Sequence, residues 1–199
     1  VPQDPPDRPR LVELLEEAGF SVEAILEALG GTPEPLVDAI KAGKIRGAVG
    51  VVGCNNPKIP QDYGHVTLTK RLIENDILVL VTGCSAIANG KAGQMLPESA
   101  DMAGPGLSEV CKALGIPPVL HLGSCVDNSR ILLAATEVVK AGGLGNDISD
   151  LPAAGSAPEW MSEKAISIGH YFVASGVYTV FGVTLPVSGA PVFRDYIFN

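Results

Sequence analysis

Five short apolar runs without polar alternation recur along the chain from residue 46 onward. They cover residues 46–53, 76–83, 117–123, 151–157 and 177–183. Strands of this kind are buried on both faces, which is typical of parallel sheets. Stretches with helical periodicity separate them, at 65–75, at 85–115 with a break near Pro97 and 104–106, at 128–142 and at 160–175. Strands and helices in alternation predict an α/β fold, a three-layer Rossmann-like domain with a mostly parallel sheet.

The first 45 residues follow a different pattern, that of short helices. The segment "RPRLVELLEEAG" places three apolar residues on one helical face, namely Leu11, Leu14 and Leu15. Ser21 is predicted to cap the helix "VEAILEALGG", and Thr32 to cap "TPEPLVDAIKAGK". The chain therefore divides into a helical lead-in over 1–45 and a Rossmann-like domain over 46–199.

The composition indicates a globular chain that handles small molecules or protein partners. Its 199 residues are 46% hydrophobic and 18% charged, which is enough to build a sizeable core. A net charge of −8 argues against nucleic-acid binding, which needs a basic face. No apolar run is long enough to span a membrane, and "VPQDPPDRPR" has no signal-peptide pattern. We therefore expect a cytoplasmic protein whose thiols are reduced.

Three of the four cysteines occupy equivalent places in this pattern. Cys54, Cys84 and Cys125 each follow one of the first three apolar runs, directly after Gly or Gly-Ser. Because parallel strands end at the same edge of a sheet, we expect these sulfurs to share one rim and face one pocket. Cys111 instead lies inside the helical stretch "LSEVCKALG", where we expect it in the core.

Two other interpretations of the three cysteines stay open at this point. Free cysteine often packs as a small buried hydrophobe, and converging strand ends could bring two thiols within disulfide distance. No CxxC pair is present, so neither a zinc ribbon nor a thioredoxin-type redox site is indicated. Separations of 30 and 41 residues suit thiolates that hold an iron–sulfur or other soft-metal cluster between elements of a fold.

Four motifs in order carry a resemblance to a known family. They are "GCNNPK" (53–58), "TGCSAIANGKAG" (82–93), "HLGSCVDNSR" (121–130) and "SAPEWMSEKAISIG" (156–169). Together they resemble the catalytic C-terminal domain of nickel-containing carbon monoxide dehydrogenases. The related hybrid-cluster (hydroxylamine reductase) family shares the domain plan, but "GSCVDNSR" and "MSEK" match the carbon monoxide enzymes better.

The resemblance implies an oxidoreductase that interconverts CO and water with CO₂ at a nickel–iron–sulfur cluster of the Ni-4Fe-4S type. It implies that Cys54 and Cys84 each hold an iron and that Cys125 is the thiolate on nickel. Lys164 would be the base or hydrogen-bond donor beside the cluster. His121 would be an outer neighbour of it. The alternative for Lys164 is an exposed helix lysine, solvated or paired with Glu163.

In the family, further ligands, a His and more Cys, come from upstream domains that this chain lacks. The resemblance therefore implies that the chain works with the remaining domains of the enzyme, as a homodimer when complete. It leaves open a companion acetyl-CoA synthase subunit. We expect the isolated chain to be inactive and metal-free. Two competing functions are a hybrid-cluster domain that reduces hydroxylamine-like substrates and a non-catalytic assembly domain with structural cysteines.

Several polar residues near the cysteines have both a structural and a functional interpretation. His65 could face the cluster pocket, but a histidine that begins a helix more often donates to the backbone. Asn55 and Asn56 follow Cys54, and Asp127 and Asn128 follow Cys125. They are good cap or turn residues that could also donate hydrogen bonds to a cluster.

Overall fold

The computed structural model describes residues 22–182 and 189–198. Its α-helices are α1 (Val22–Ala28), α2 (Glu34–Lys41), α3 (Tyr63–Ile73), α4 (Gly83–Lys91), α5 (Pro105–Leu114), α6 (Ser129–Ala141), α7 (Glu163–Ala174) and α8 (Pro191–Phe198). Its strands are β1 (Gly47–Val51), β2 (Ile77–Val81), β3 (Val119–His121), β4 (Ala153–Ala157) and β5 (Tyr178–Phe181). The first predicted helix and Ser21 lie outside the described residues.

The five strands form one sheet in the order β3-β2-β1-β4-β5, and every neighbouring pair is parallel. This confirms the predicted α/β class. The chain moves outward from β1 to β3 and then returns to β4 on the other side of β1. Such a reversal opens a crevice between the two halves at the carboxyl ends of the strands. Here the crevice lies between the loops that follow β1 and β4.

Helices cover the sheet on both faces, which gives the three layers that the sequence predicts. Gly50 of β1 lies against Ile131 of α6 and Phe172 of α7, so these two helices share one face. From β1 the chain moves through β2 to β3 on one side of the sheet, whereas from β4 it moves to β5 on the other side. Because such crossovers are right-handed, α3, α4 and α5 lie on the other face.

The observed strands are shorter than the apolar runs because the runs continue into loops that keep ladder-like bonds. Val52 N still donates to Ser156 O at 2.9 Å, and Leu122 N donates to Val81 O at 3.0 Å. The predicted break in the long helical stretch is a 3₁₀ turn at Pro97–Met102. Thr32 accepts a hydrogen bond from Glu34 N at 3.3 Å, but the N-cap position of α2 belongs to Pro33, so the predicted cap lies one residue too early.

Helix α7 packs closely on β4 and β5. A Cβ placed on Gly155 would lie 2.5 Å from Phe172 Cδ2, and one on Gly169 would lie 2.3 Å from Phe181 Cε1. Only glycine fits at these two contacts, so the helix sits nearer to the sheet than a larger residue would allow. Within 22–182 and 189–198, every helix is too short or too polar to cross a lipid bilayer.

Candidate metal centre

The three strand-end cysteines lie at one edge of the sheet, as the sequence predicts. Cys54 follows β1, Cys84 is the second residue of α4 after β2, and Cys125 follows β3. These strands are neighbours with parallel registers, so their carboxyl ends share one rim. All three thiols are free; Cys84 and Cys125 are exposed and Cys54 is half-buried.

The start of α4, which carries Cys84, touches the loop that carries Cys125. Gly83, directly before Cys84, has a φ of +56°, and a Cβ built on it would lie 3.0 Å from Cys125 Cβ. Its N–H donates to Gly123 O at 3.1 Å. A side chain at 83 would be strained in this conformation and would press on Cys125. Glycine at 83 therefore allows the start of α4 to approach the Cys125 loop.

Buried polar groups fix the Cys125 loop. Thr82 Oγ1 donates to Asn128 Oδ1 at 2.6 Å, and Asn128 Nδ2 donates to the carbonyl of Cys125. Asn128 occupies the N-cap position of α6, but its side chain makes no capping bond to that helix. Its side chain instead connects the Cys125 loop to the end of β2. The predicted cap thus serves as a link between loops.

Cys54 is held at both of its main-chain groups. Its N–H donates to Glu159 O at 3.1 Å, and its carbonyl accepts from His65 Nε2 at 2.8 Å. His65 is fully buried and therefore takes the structural role, that of a helix-start histidine donating to the backbone. The Cys54 sulfur lies 3.9 Å from Ser162 Oγ. Ser162 belongs to the "MSEK" motif, so the first and fourth motifs meet here.

Lys164 lies in the first turn of α7, close to the Cys54 loop. The next residue, Ala165, has its Cβ 3.6 Å from the position that a Cβ on Gly53 would occupy. Lys164 is exposed, and no ion pair joins it to Glu163 among the residues described. A cation at the start of a helix lies at the positive end of the helix dipole, which opposes it. Helix stability therefore does not account for a lysine at this position.

His121 ends β3, is half-buried, and precedes Cys125 by four residues. Burial lowers its pKa, against the opposing influence of Gly123 and Asp127. Asp127 accepts bonds from the hydroxyl and the N–H of Ser124, both at 2.8 Å. These bonds hold the pKa of Asp127 below its usual range. The turn that carries Cys125 is thus built around a carboxylate.

Cys111 lies apart from the other three cysteines, in the core as predicted. Its side chain is 1% exposed, and burial raises the pKa of its thiol to about 12. In the part of the chain that the structure describes, no three His, Cys, Asp or Glu side chains gather closely enough to hold a single metal ion. The rim instead offers thiols on two loops and at the start of α4.

Sequence reasoning missed Glu159, Thr82 and Ser162, which hold these loops in place. Thr82 and Glu159 lie just beyond an apolar strand, and Ser162 occupies the N-cap position of α7. Each makes its contacts with a segment distant in sequence. Glu159 carried a usable signal, since it is the one acidic residue between Asp150 and Glu163 and follows a strand that is buried at its end.

Comparison with known proteins decides the family. The model of the Prismane/CO dehydrogenase family matches residues 4–199, which is nearly the whole chain. The chain belongs to this family. Two relatives of high similarity are both named carbon monoxide dehydrogenase 1. The protein from Methanosarcina mazei is 63% identical and that from Methanosarcina acetivorans 64% identical, each over 172 residues.

These relatives are much longer proteins than the present chain. The alignments cover 86% of this chain but 27% of each relative, so the chain spans about a quarter of their length. A third relative, the carbon monoxide dehydrogenase of Rhodospirillum rubrum, is 45% identical over 193 residues, which cover 90% of this chain and 30% of that protein.

Solved structures of this family share the fold. A nickel-free carbon monoxide dehydrogenase from Thermococcus sp. AM4, produced without the CooC maturase, superposes with a TM-score of 0.84 at 62% identity. The match covers 89% of this chain and 28% of that one. An acetyl-CoA synthase/carbon monoxide dehydrogenase superposes at 0.81 with 38% identity, over 89% of this chain and 28% of that one. NiZn[Fe4S4] and NiNi[Fe4S4] clusters are described for its alpha subunits.

Proposed function

We propose that this chain forms the part of a nickel-dependent carbon monoxide dehydrogenase that supplies three thiolate ligands to its active-site cluster. The observation that carries the proposal is the placement of Cys54, Cys84 and Cys125 on one rim of a parallel sheet. The reaction of the complete enzyme would be CO + H₂O ⇌ CO₂ + 2 H⁺ + 2 e⁻. The named relatives support this activity, and the chain spans about a quarter of their length.

The chemistry of the donor set fits a nickel–iron–sulfur cluster. Thiolates are soft ligands that iron–sulfur clusters and low-valent nickel prefer. We assign Cys54 and Cys84 to iron and Cys125 to nickel. Cys84 and Cys125 are exposed to solvent, and among the described residues no hydrogen bond to either sulfur is present. When bound, the cluster supplies the metal that binds CO and the store for two electrons.

Lys164 and His121 are the protein groups that we place beside this chemistry. Lys164, at the start of α7, would hold its ammonium proton where negative charge develops on oxygen. Burial lowers the pKa of His121, which favours a hydrogen-bonding neighbour over a second cation. Ser162 would keep the Cys54 sulfur and the lysine-bearing turn at a fixed distance.

Three thiolates leave such a cluster incompletely ligated, so the remaining ligands must come from the rest of the enzyme. We therefore expect the 199-residue chain alone to show no CO oxidation with a viologen acceptor. We also infer that the complete enzyme is a homodimer. An acetyl-CoA synthase partner is a further candidate, because one structural neighbour is an acetyl-CoA synthase/carbon monoxide dehydrogenase.

Cys125→Ala in the complete enzyme tests the ligand assignment. We expect nickel content and CO oxidation to fall about tenfold or more, since even neighbours of metal ligands have effects of that size. Cys111→Ala is the matched control, because that thiol is buried in the core; it should cost about 1 kcal/mol of stability and leave nickel bound. Full nickel content in Cys125→Ala would refute the assignment.

Metal analysis also separates this function from the hybrid-cluster alternative. A hydroxylamine-reducing domain of the same fold would require iron and no nickel. The named relatives are carbon monoxide dehydrogenases, which favours the first function. Purified complete enzyme that contains iron, lacks nickel and reduces hydroxylamine would establish the alternative instead.

A further inference from the structure

Glu159 is a fully buried acidic residue at the crevice between β1 and β4. It follows β4 and is 1% exposed. Its two carboxylate oxygens accept from different backbone groups: Oε2 from Asn56 N and Oε1 from Gly64 N, both at 2.9 Å. Its carbonyl accepts from Cys54 N at 3.1 Å. One residue thus holds two points of the loop that carries Cys54 and the start of α3, the helix that follows this loop.

The contact with Gly64 makes Glu159 the N-terminal cap of α3. Gly64 is the second residue of that helix, where a backbone N–H has no partner inside the helix. Asp62, at the N-cap position itself, has a φ of +67° and makes no capping bond. A carboxylate near a helix N-terminus is favoured by the helix dipole. The cap therefore comes from a residue 95 positions further along the chain.

This cap also fixes Cys54 from the other side. The residue after Gly64 is His65, whose Nε2 donates to the carbonyl of Cys54. By holding the start of α3, Glu159 keeps that histidine in place. The N–H and the carbonyl of Cys54 are thus both fixed, one by Glu159 directly and the other through α3.

Two glycines, which have no side chain, leave room for the carboxylate and the main chain of Glu159. A Cβ on Gly64 would lie 2.4 Å from Glu159 Oε1, and a Cβ on Gly53 would lie 2.5 Å from Glu159 O. Any side chain at either position would displace Glu159. The close approach requires glycine on both sides of the Cys54 loop.

We propose that Glu159 is a positioning residue that sets the distance between Cys54 and Lys164. Four residues lie between Glu159 and Lys164. Two contacts hold this segment against the Cys54 loop: Asn56 Nδ2 donates to Trp160 O at 3.2 Å, and Ser162 contacts Cys54. The inference rests on the proposed function, in which Cys54 binds the cluster and Lys164 lies beside it. Glu159 itself touches neither the cluster nor the substrate.

Glu159→Gln in the complete enzyme tests the proposal. Glutamine has the same length but offers one acceptor oxygen, so either Asn56 N or Gly64 N would face an NH₂ donor. We expect backbone amides of residues 54–64 to exchange with deuterium about tenfold faster. We also expect the g values of the reduced cluster to shift in electron paramagnetic resonance, and CO oxidation to fall about 10- to 100-fold.

Asp76→Asn is the matched control. Asp76 Oδ1 likewise accepts from the N–H of a distant helix start, Leu107 in α5, at 2.8 Å. Asp76 directly precedes β2, so it lies at the amino ends of the strands, away from the cysteines. The control should lose comparable thermal stability with an unchanged cluster spectrum. If Glu159→Gln destabilises the enzyme like Asp76→Asn and leaves both the spectrum and the exchange of residues 54–64 unchanged, the proposal is overturned.

Gly64→Ala keeps the test decisive where Glu159→Gln yields no folded enzyme. It leaves the carboxylate in the chain but pushes it away from the helix start, and we expect the same spectral shift. An unchanged spectrum in that variant would overturn the proposal. If the wild-type enzyme carries no nickel–iron cluster, the proposed function fails, and amide exchange alone then decides whether Glu159 holds the Cys54 loop.

Discussion

At the scale of single residues, the rim combines buried side chains that stabilise the fold with an exposed side chain that does not. Asn128, Thr82 and Glu159 are buried and hydrogen-bonded, so their positions follow from the cost of burying unpaired polar groups. The position of Lys164 does not follow from stability, since the side chain is exposed and lies at the unfavourable end of a helix dipole. Exposure also fits the alternative of a solvated helix lysine, so substitution of Lys164 is what separates that alternative from a role in the reaction.

Replacement of Lys164 by alanine should therefore separate stability from activity. We expect the free energy of unfolding to stay within about 0.5 kcal/mol of wild type, because the side chain is exposed. CO oxidation by the complete enzyme should fall by about 10²- to 10⁴-fold if the ammonium group donates a proton or stabilises charge. Chemical denaturation and a viologen-linked assay measure the two quantities.

Lys140→Ala provides the control for this prediction. Lys140 is exposed and pairs with Glu137 at 2.7 Å in the last turn of α6, away from the thiols. An exposed pair of this kind contributes at most about 1 kcal/mol, and its loss should leave turnover unchanged. Equal loss of activity in the two variants would show that Lys164 acts only through surface charge.

At the scale of helices and strands, the apolar runs predicted all five strands and their parallel pairing. They did so because a strand buried on both faces leaves no polar position in its middle. The helix break at Pro97–Met102 was equally visible, since proline and glycine mark it. The contacts of Glu159 and His65 could not be predicted from the sequence, because each joins segments that come together only in the folded sheet. The predicted division of the chain at residue 45 stays a prediction.

The packing of α7 on β4 gives a prediction at this scale. Gly155→Ala would place a Cβ 2.5 Å from Phe172 Cδ2, so the helix or the ring must move. We expect a loss of about 1–3 kcal/mol in the free energy of unfolding, as is usual for overpacked cores. Urea denaturation of the chain measures it.

The same substitution at Gly90 should have the opposite sign. Gly90 is an exposed residue inside α4, and an added Cβ there would meet only Met95 Sδ at an ordinary 3.8 Å. Alanine is better than glycine within a helix by about 0.5–1 kcal/mol. A destabilised Gly90→Ala, or an unaffected Gly155→Ala, would contradict this description of the packing.

At the scale of the whole molecule, the sheet is covered unevenly. Phe181 and Thr179 of β5 face α7, so the alternation of a strand turns Tyr178 and Val180 to the opposite face. These two side chains are 76% and 46% exposed. Strand β5 is also an edge of the sheet, with one row of backbone groups that pairs with no other described strand. An exposed apolar edge of this kind favours association with another surface.

We therefore expect the isolated chain to self-associate through β5 as its concentration rises. Val180→Lys should raise the concentration of half-association about tenfold, which corresponds to about 1.4 kcal/mol, because a charge on an edge strand blocks pairing. Sedimentation velocity over a range of concentrations measures the shift. Val173→Lys is the matched control, since Val173 is 51% exposed but lies on α7. If both lysines weaken association equally, added charge explains the effect and β5 has no special part in it.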